Sequence, residues 1–227
     1  ILGGVLGGLG SILGGLLSVL GSLFRFVRHQ VRHPVRMVGH GVGYVLVDVS
    51  ELFEVPISLR IGTVLRDDPL LTTRLGIADQ RDPIRVVVDN LARLPLRAKA
   101  VNRASTAPTI LAVSQMAPRT KLEALEREGV QVIVVESSPR RVSLERLIEA
   151  LGKRGILSVM IEGGAEINAS ALREGVVDKV LVFLAPILIG GKSTPTAVGG
   201  DGIESLTQAI RLRDVRIDRF DGDILVE

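Results

Sequence analysis

The chain has 227 residues, 46% of them apolar, which suits one α/β domain, alone or with an appendage, and is far from a disordered composition. It has no cysteine, which excludes disulfides, thiolate nucleophiles and Cys-based metal sites and fits a reducing compartment; one Tyr, five Phe and no Trp leave little for stacking single-stranded nucleic acid. The net charge of +3 is uneven: residues 1–47 carry four arginines and no acid, leaving 24 basic and 25 acidic residues elsewhere, so no nucleic-acid-binding face is expected on the body.

Ile1 to Phe24 is uncharged and reads ILGGVLGGLGSILGGLLSVLGSLF, long enough for a transmembrane helix candidate. Small residues four apart, Gly3/Gly7 and Gly10/Gly14, resemble a helix-association face, and the arginines that follow would keep the body on the cytoplasmic side. Against that, eight glycines in 24 residues weaken any helix, and no basic region precedes the run as in a signal peptide. Residues 1–47 also hold all three histidines, the only tyrosine and 11 of the 25 glycines, and the chain begins without Met. Residues 1–58 therefore stand apart as an atypical segment. Two readings are open: an appendage, touching a membrane if residues 1–24 are an anchor, or an altered N-terminus. His29 and His33 are one helical turn apart and could share a metal with His40. Incidental histidines in a basic run explain them equally, and no metal site is expected.

From residue 59 the pattern becomes regular. Ile84–Asp89 (IRVVVD) and Thr109–Ser114 (TILAVS) read as short strands rich in β-branched residues. Lys121–Glu128 has helical composition and ends at Gly129, a helix-stop signal. Val130–Val135 is a third strand. Ser143–Leu151 (SLERLIEAL) begins with a capping serine and meets Gly152. Ser158–Ile161 is a fourth strand, followed by Glu162-Gly163-Gly164 and a helix to about Glu174. Lys179–Ala185 is a fifth, and Val215–Glu227 alternates like an antiparallel hairpin around Asp221-Gly222. Strands alternating with helices of about ten residues predict a mixed, mostly parallel sheet covered on both faces.

Three segments carry candidate chemistry. In SVMIEGGAEINASALREG a strand, two glycines and a helix place free N–H groups and the positive helix end at one turn, a natural phosphate cradle, although such a turn is often only a turn. GTVLRDDPLLTTR gathers a hydroxyl, two carboxylates and Arg74, whose fork suits a phosphate. Pro186 to Lys192 follows the fifth strand. In open α/β sheets ligands bind at the carboxyl ends of strands, where Asp89, Asn90 and Glu162 are also expected.

GTVLRDDPLLTTR, DPIRVVVDN, IEGGAEINASALREGVVDKVLVFLAPILIGGKSTPT and RFDGDILVE together resemble the reductase domain of riboflavin biosynthesis, over about Ile61 to the end. The resemblance implies a dihydrofolate-reductase-like fold and NADPH as the reductant for the ribose of a phosphorylated ribosylaminopyrimidine. It implies that Thr63, Asp67 and Asn90 contact NADPH and that the turn Gly163, Gly164, Ala165 and Glu166 holds its diphosphate. Leu71, Arg74 and Glu162 would meet the substrate, Arg74 at its phosphate, with Glu162 also the protein's candidate for proton transfer. Arg66, Arg85 and Arg93 are expected near the site, able to meet a 2′-phosphate. The family's zinc deaminase partner domain needs cysteines, so the chain resembles the stand-alone reductases, which are dimers; here the contact is expected through Lys179–Ala185 and Pro186–Ile189. Ala165 stands where a third glycine is common, and the family's opening Ser-x-Asp-Gly-Lys-like motif is not recognisable in residues 1–58. Alternatives are a reductase of the deaminated pyrimidine, or a non-catalytic or membrane-attached binding protein of the same fold.

Overall fold

A computed structural model of the chain describes residues 44–47, 57–72, 82–101, 105, 107–135, 141–162, 164–189, 191, 194, 196–220 and 222–227. In chain order the strands are β1 (Tyr44–Val47), β2 (Ile57–Arg60), β3 (Arg85–Val88), β4 (Thr109–Val113), β5 (Gln131–Val134), β6 (Val159–Ile161), β7 (Lys179–Leu184), β8 (Ile217–Phe220) and β9 (Asp223–Val226). The helices are α1 (Ile61–Asp67), α2 (Arg119–Arg127), α3 (Leu144–Gly152) and α4 (Ala165–Arg173).

All nine strands join one sheet in the order β5-β4-β3-β2-β6-β1-β7-β9-β8. The five from β5 to β6 run parallel. β1 is antiparallel to both β6 and β7, and β7, β9 and β8 continue antiparallel. Two antiparallel steps restore direction, so β7 ends at the same edge as β6. The tail forms the hairpin its alternation predicts, Phe220 pairing with Asp223 across a turn with Gly222 at φ +99°. β7 lies inside the sheet with Leu181 and Phe183 buried, so it is not a free edge for a second subunit; Ile187, Leu188 and Ile189 after it are exposed.

Side chains of successive strand residues point to opposite faces, which sorts the core into two layers. On one face Val86, Ile110, Ala112 and Ile133 pack with Leu144, Leu147 and Leu151 of α3 and with Ile167 and Ala171 of α4. On the other, Val87, Leu111 and Val113 pack with Ile61 and Val64 of α1 and Leu125 of α2. The three α3 leucines fall at i, i+3 and i+7, one stripe of the helix, and each buried leucine contributes roughly 2 kcal/mol. The expected helix boundaries hold for physical reasons. Ser143 caps α3 by accepting from the Arg146 N–H at 3.3 Å, and Gly129 takes φ +86° just past α2.

Among the described residues no helix is long and apolar enough to cross a membrane, and no group of three or more His, Cys, Asp or Glu could hold a metal. Residues 1–24 and the three histidines lie outside the described residues.

Candidate functional site

The carboxyl ends of β2, β3, β4 and β6 lie along one edge, and the residues that follow each strand meet there. β2 runs directly into α1, so Thr63 falls on the first turn of that helix. β6 runs into Glu162 and then Gly164, the N-cap of α4. The backbone hydrogen bond from Glu162 N–H to the Ser58 carbonyl, 3.1 Å, stitches the two exits together. Gly164 adopts φ +88°, a region that L side chains rarely enter, and a Cβ there would lie 3.5 Å from Thr63 Oγ1. Two segments separated by about a hundred residues of sequence thus lie side by side.

Among the described residues no side chain caps α4; the Ile167 N–H is taken by the Gly164 carbonyl at 2.9 Å, and the N–H groups of Ala165 and Glu166 stand at the positive end of the helix, where an anion is favoured. Such a start fits a diphosphate: a glycine lets the ligand approach, and the first-turn donors face it. Glu162 is buried at 4% exposure. Glu166 is exposed, and its Oε1 accepts from the Gly200 N–H at 3.1 Å.

Along the same edge, Asp89 is fully buried. It accepts from the Leu94 N–H at 2.8 Å and from Arg93 Nε at 3.3 Å, which shapes the turn after β3 and leaves Arg93 half-exposed beside it. Asn90 offers its carbonyl to the Ser114 N–H at 3.2 Å and to Ser114 Oγ at 2.9 Å, joining the ends of β3 and β4. Asp67 forms a forked ion pair with Arg66, both contacts 3.1 Å, and the hydrogen bond together with the carboxylate's charge raises the Arg66 pKa. Leu71 is buried with φ +51°, an uncommon conformation for a residue with a side chain. Gly163 and Arg74 lie outside the described residues.

One expectation is overturned. Arg85 stands at the opposite end of β3, at its start, and is 1% exposed. Its Nε donates to Thr109 Oγ1 at 2.9 Å and its Nη2 to the Ala107 carbonyl. Burial lowers its pKa, only partly offset by the charge of Asp82. A guanidinium enclosed there cannot meet a cofactor phosphate at the other edge; it anchors the approach to β4. Arg93 follows β3 beside Asp89, and Arg66 lies in the last turn of α1, paired with Asp67.

Two features escaped the sequence reading. Ser114 is one, visible only as a hydroxyl at the end of a strand. The other is the segment Ala197–Gly200, which packs on the first turn of α4 with the Gly199 N–H donating to the Ala165 carbonyl at 2.9 Å. Its sequence signal is the pair Gly199-Gly200.

A sheet of this order, with an open glycine turn at its carboxyl edge, defines a dihydrofolate-reductase-like α/β domain. Within that class the RibD C-terminal domain family matches residues 25–226, and the chain belongs to it. It is 41% identical over 172 residues to the 2,5-diamino-6-ribosylamino-4(3H)-pyrimidinone 5′-phosphate reductase of Methanothermobacter thermautotrophicus, covering 75% of this chain and 77% of that protein. It is 36% identical over 171 residues to the riboflavin biosynthesis protein RibD of Actinobacillus pleuropneumoniae, covering 75% of this chain and 45% of that protein. The solved structure of Acinetobacter baumannii RibD aligns with a TM-score of 0.59 at 26% identity, over 77% of this chain and 46% of that one. The chain therefore spans less than half the length of the RibD proteins it matches. Its family is the reductase family of riboflavin biosynthesis.

Proposed function

We propose that the chain reduces the ribose of 2,5-diamino-6-ribosylamino-4(3H)-pyrimidinone 5′-phosphate to a ribityl chain, using NADPH. The observation that carries the reading is the placement of Thr63 beside Gly164 at the start of α4, which unites two of the motifs shared with the family. The 41% identity to a reductase of that name supports the substrate. When bound, NADPH would supply the hydride equivalent for C1′ of the ring-opened ribose. The protein's own part is orientation. Backbone donors at Gly164, Ala165 and Glu166 bind the diphosphate, with Gly163 completing the turn. Thr63, Asp67 and Asn90 line the cofactor's path. Arg93 and Arg66 are the cations at this edge for a 2′-phosphate.

On the substrate side, Arg74 binds the phosphate and Leu71 lines the pocket, its φ of +51° being the kind of strain that clusters at binding sites. Glu162, buried where β6 ends, faces the polar groups and handles the proton. We further read the reductase unit as beginning upstream of residue 59. Strand β1 at Tyr44–Val47 is paired on both sides, β2 starts at Ile57, and the family match begins at residue 25. A homodimer is part of the proposal, supported by exposed large apolar residues from Ile187 to Ile217, among them Leu188 and Leu206. A cytoplasmic location goes with a cysteine-free chain.

A second reading is reduction of the deaminated uracil, the alternative that the resemblance to the reductase domain of riboflavin biosynthesis leaves open. Steady-state turnover with each pyrimidine and with NADPH or NADH decides both questions. The proposal expects a higher kcat/KM for the diamino compound and for NADPH. Preference for the uracil would select the second reading, and no consumption of either nucleotide would refute both.

A further inference from the structure

We propose that Glu166 is a positioning residue: through its carboxylate it clamps the segment Ala197–Gly200 onto the first turn of α4 and so fixes one wall of the cofactor site. This rests on reading the start of α4 as the dinucleotide site.

A carboxylate in the first turn of a helix is favourable to the helix but opposes a diphosphate at the same end. Glu166 resolves the conflict by direction. Its Oε1 accepts from the Gly200 N–H at 3.1 Å, in the segment that follows β7, 34 residues further along the chain. Two more ties lie beside it. The Gly199 N–H donates to the Ala165 carbonyl at 2.9 Å, and Asn168 Nδ2, on a residue only 2% exposed, donates to the Ala197 carbonyl at 2.8 Å. Thr196 Oγ1 bonds the Val198 carbonyl at 2.8 Å, which tightens the segment itself.

The fit tolerates no side chain. A Cβ at Gly199 would sit 2.8 Å from Glu166 Oε1, 3.1 Å from Ala165 Cβ and 3.2 Å from the Ala165 carbonyl carbon. The backbone carbon cannot swing aside. Gly200 takes φ +80°, and a Cβ there would lie 3.1 Å from Ala169 Cβ. Two adjacent glycines and a buried asparagine hold a mostly exposed segment against the start of α4, which, among the described helices on this face of the sheet, is the one without a side-chain cap. Displacing the segment therefore alters the turn whose N–H groups would meet the cofactor.

Two measurements on the full chain test the clamp: amide hydrogen exchange at Gly199 and Gly200 by NMR, and NADPH affinity by fluorescence titration. For Glu166→Ala we expect Gly200 protection to fall and the NADPH Kd to rise about fivefold. Gly199→Ala should raise Kd by about tenfold or more. Glu166→Gln, whose amide oxygen still accepts, should lie nearer the wild type than Glu166→Ala in both measurements. Thermal midpoints separate this from a merely structural role, since Glu166→Ala should leave the midpoint close to that of the wild type while Kd moves. Unchanged Gly200 protection in Glu166→Ala overturns the proposal, as does lost protection with wild-type affinity in both alanine variants. Wild-type protein that binds no NADPH refutes the dinucleotide reading and the proposal with it, and is told apart because the failure precedes any substitution.

Discussion

Helices α3 and α4 pack on the same face of the sheet, yet the donors at their starts are treated differently. At α3, Ser143 Oγ accepts from the Arg146 N–H, and Glu174, reaching in from the end of α4, accepts from the N–H groups of Leu144 at 2.7 Å and Glu145 at 3.1 Å. The protein's own carboxylate occupies the place of an anion. At α4, Gly164 has no side chain to offer, and the first-turn carboxylate, Glu166, is turned to Gly200. Helix α2 also lacks a side-chain cap, but its N-cap, Pro118, lies on the exposed surface. Open donors at α4 are different because they stand beside Thr63 at the carboxyl edge of the sheet. A helix start satisfied from within stabilises the fold; one left open among strand ends is available for a ligand.

That contrast can be broken from either side. The largest effect is expected at α4: Gly164→Val forces a branched side chain into φ +88° and against Thr63, about 1–3 kcal/mol of strain. NADPH affinity, read by titration, should fall at least about tenfold. At α3 the loss should appear in stability alone. Glu174→Ala removes a carboxylate that serves two backbone N–H groups and should cost about 1–2 kcal/mol in denaturant unfolding, with NADPH Kd unchanged. A smaller cost, about 1 kcal/mol, is expected for Ser143→Ala, again without effect on the cofactor. If Glu174→Ala weakened NADPH binding as strongly as Gly164→Val, the two helix starts would not differ in role.

Much of this was legible in the sequence because it is local. The β-branched runs at Arg85–Val88 and Thr109–Val113 are strands, α2 and α3 lie within two residues of their periodic patterns, and a turn with Gly222 closes the final hairpin. The glycine pair after β6 flagged the site for the same reason. Helix α1, seven residues long, is too short to show a period and read only as a loop of polar groups around a proline. Strands β1 and β2 lie in or border the stretch whose composition obscured its role.

The remaining misses are long-range. Arg85 reads as a cation near the site, but its partners Thr109 and Ala107 come from the approach to the neighbouring strand. That a buried guanidinium belongs at the start of β3 follows only once β3 and β4 are known to pair. Glu166 likewise reads as a first-turn acid of α4, while its partner Gly200 lies 34 residues on. Local chemistry shows which residues could meet a phosphate. Only the chain's return decides which of them are already engaged.

The start of α4, and not that of α3, should receive the dinucleotide. NMR titration of isotope-labelled protein with NADPH tests it most directly. The amides of Gly164, Ala165 and Glu166 should shift on addition while those of Leu144 and Glu145, already bonded to Glu174, stay in place. Shifts at Leu144 and Glu145 with none at Gly164 to Glu166 would contradict it.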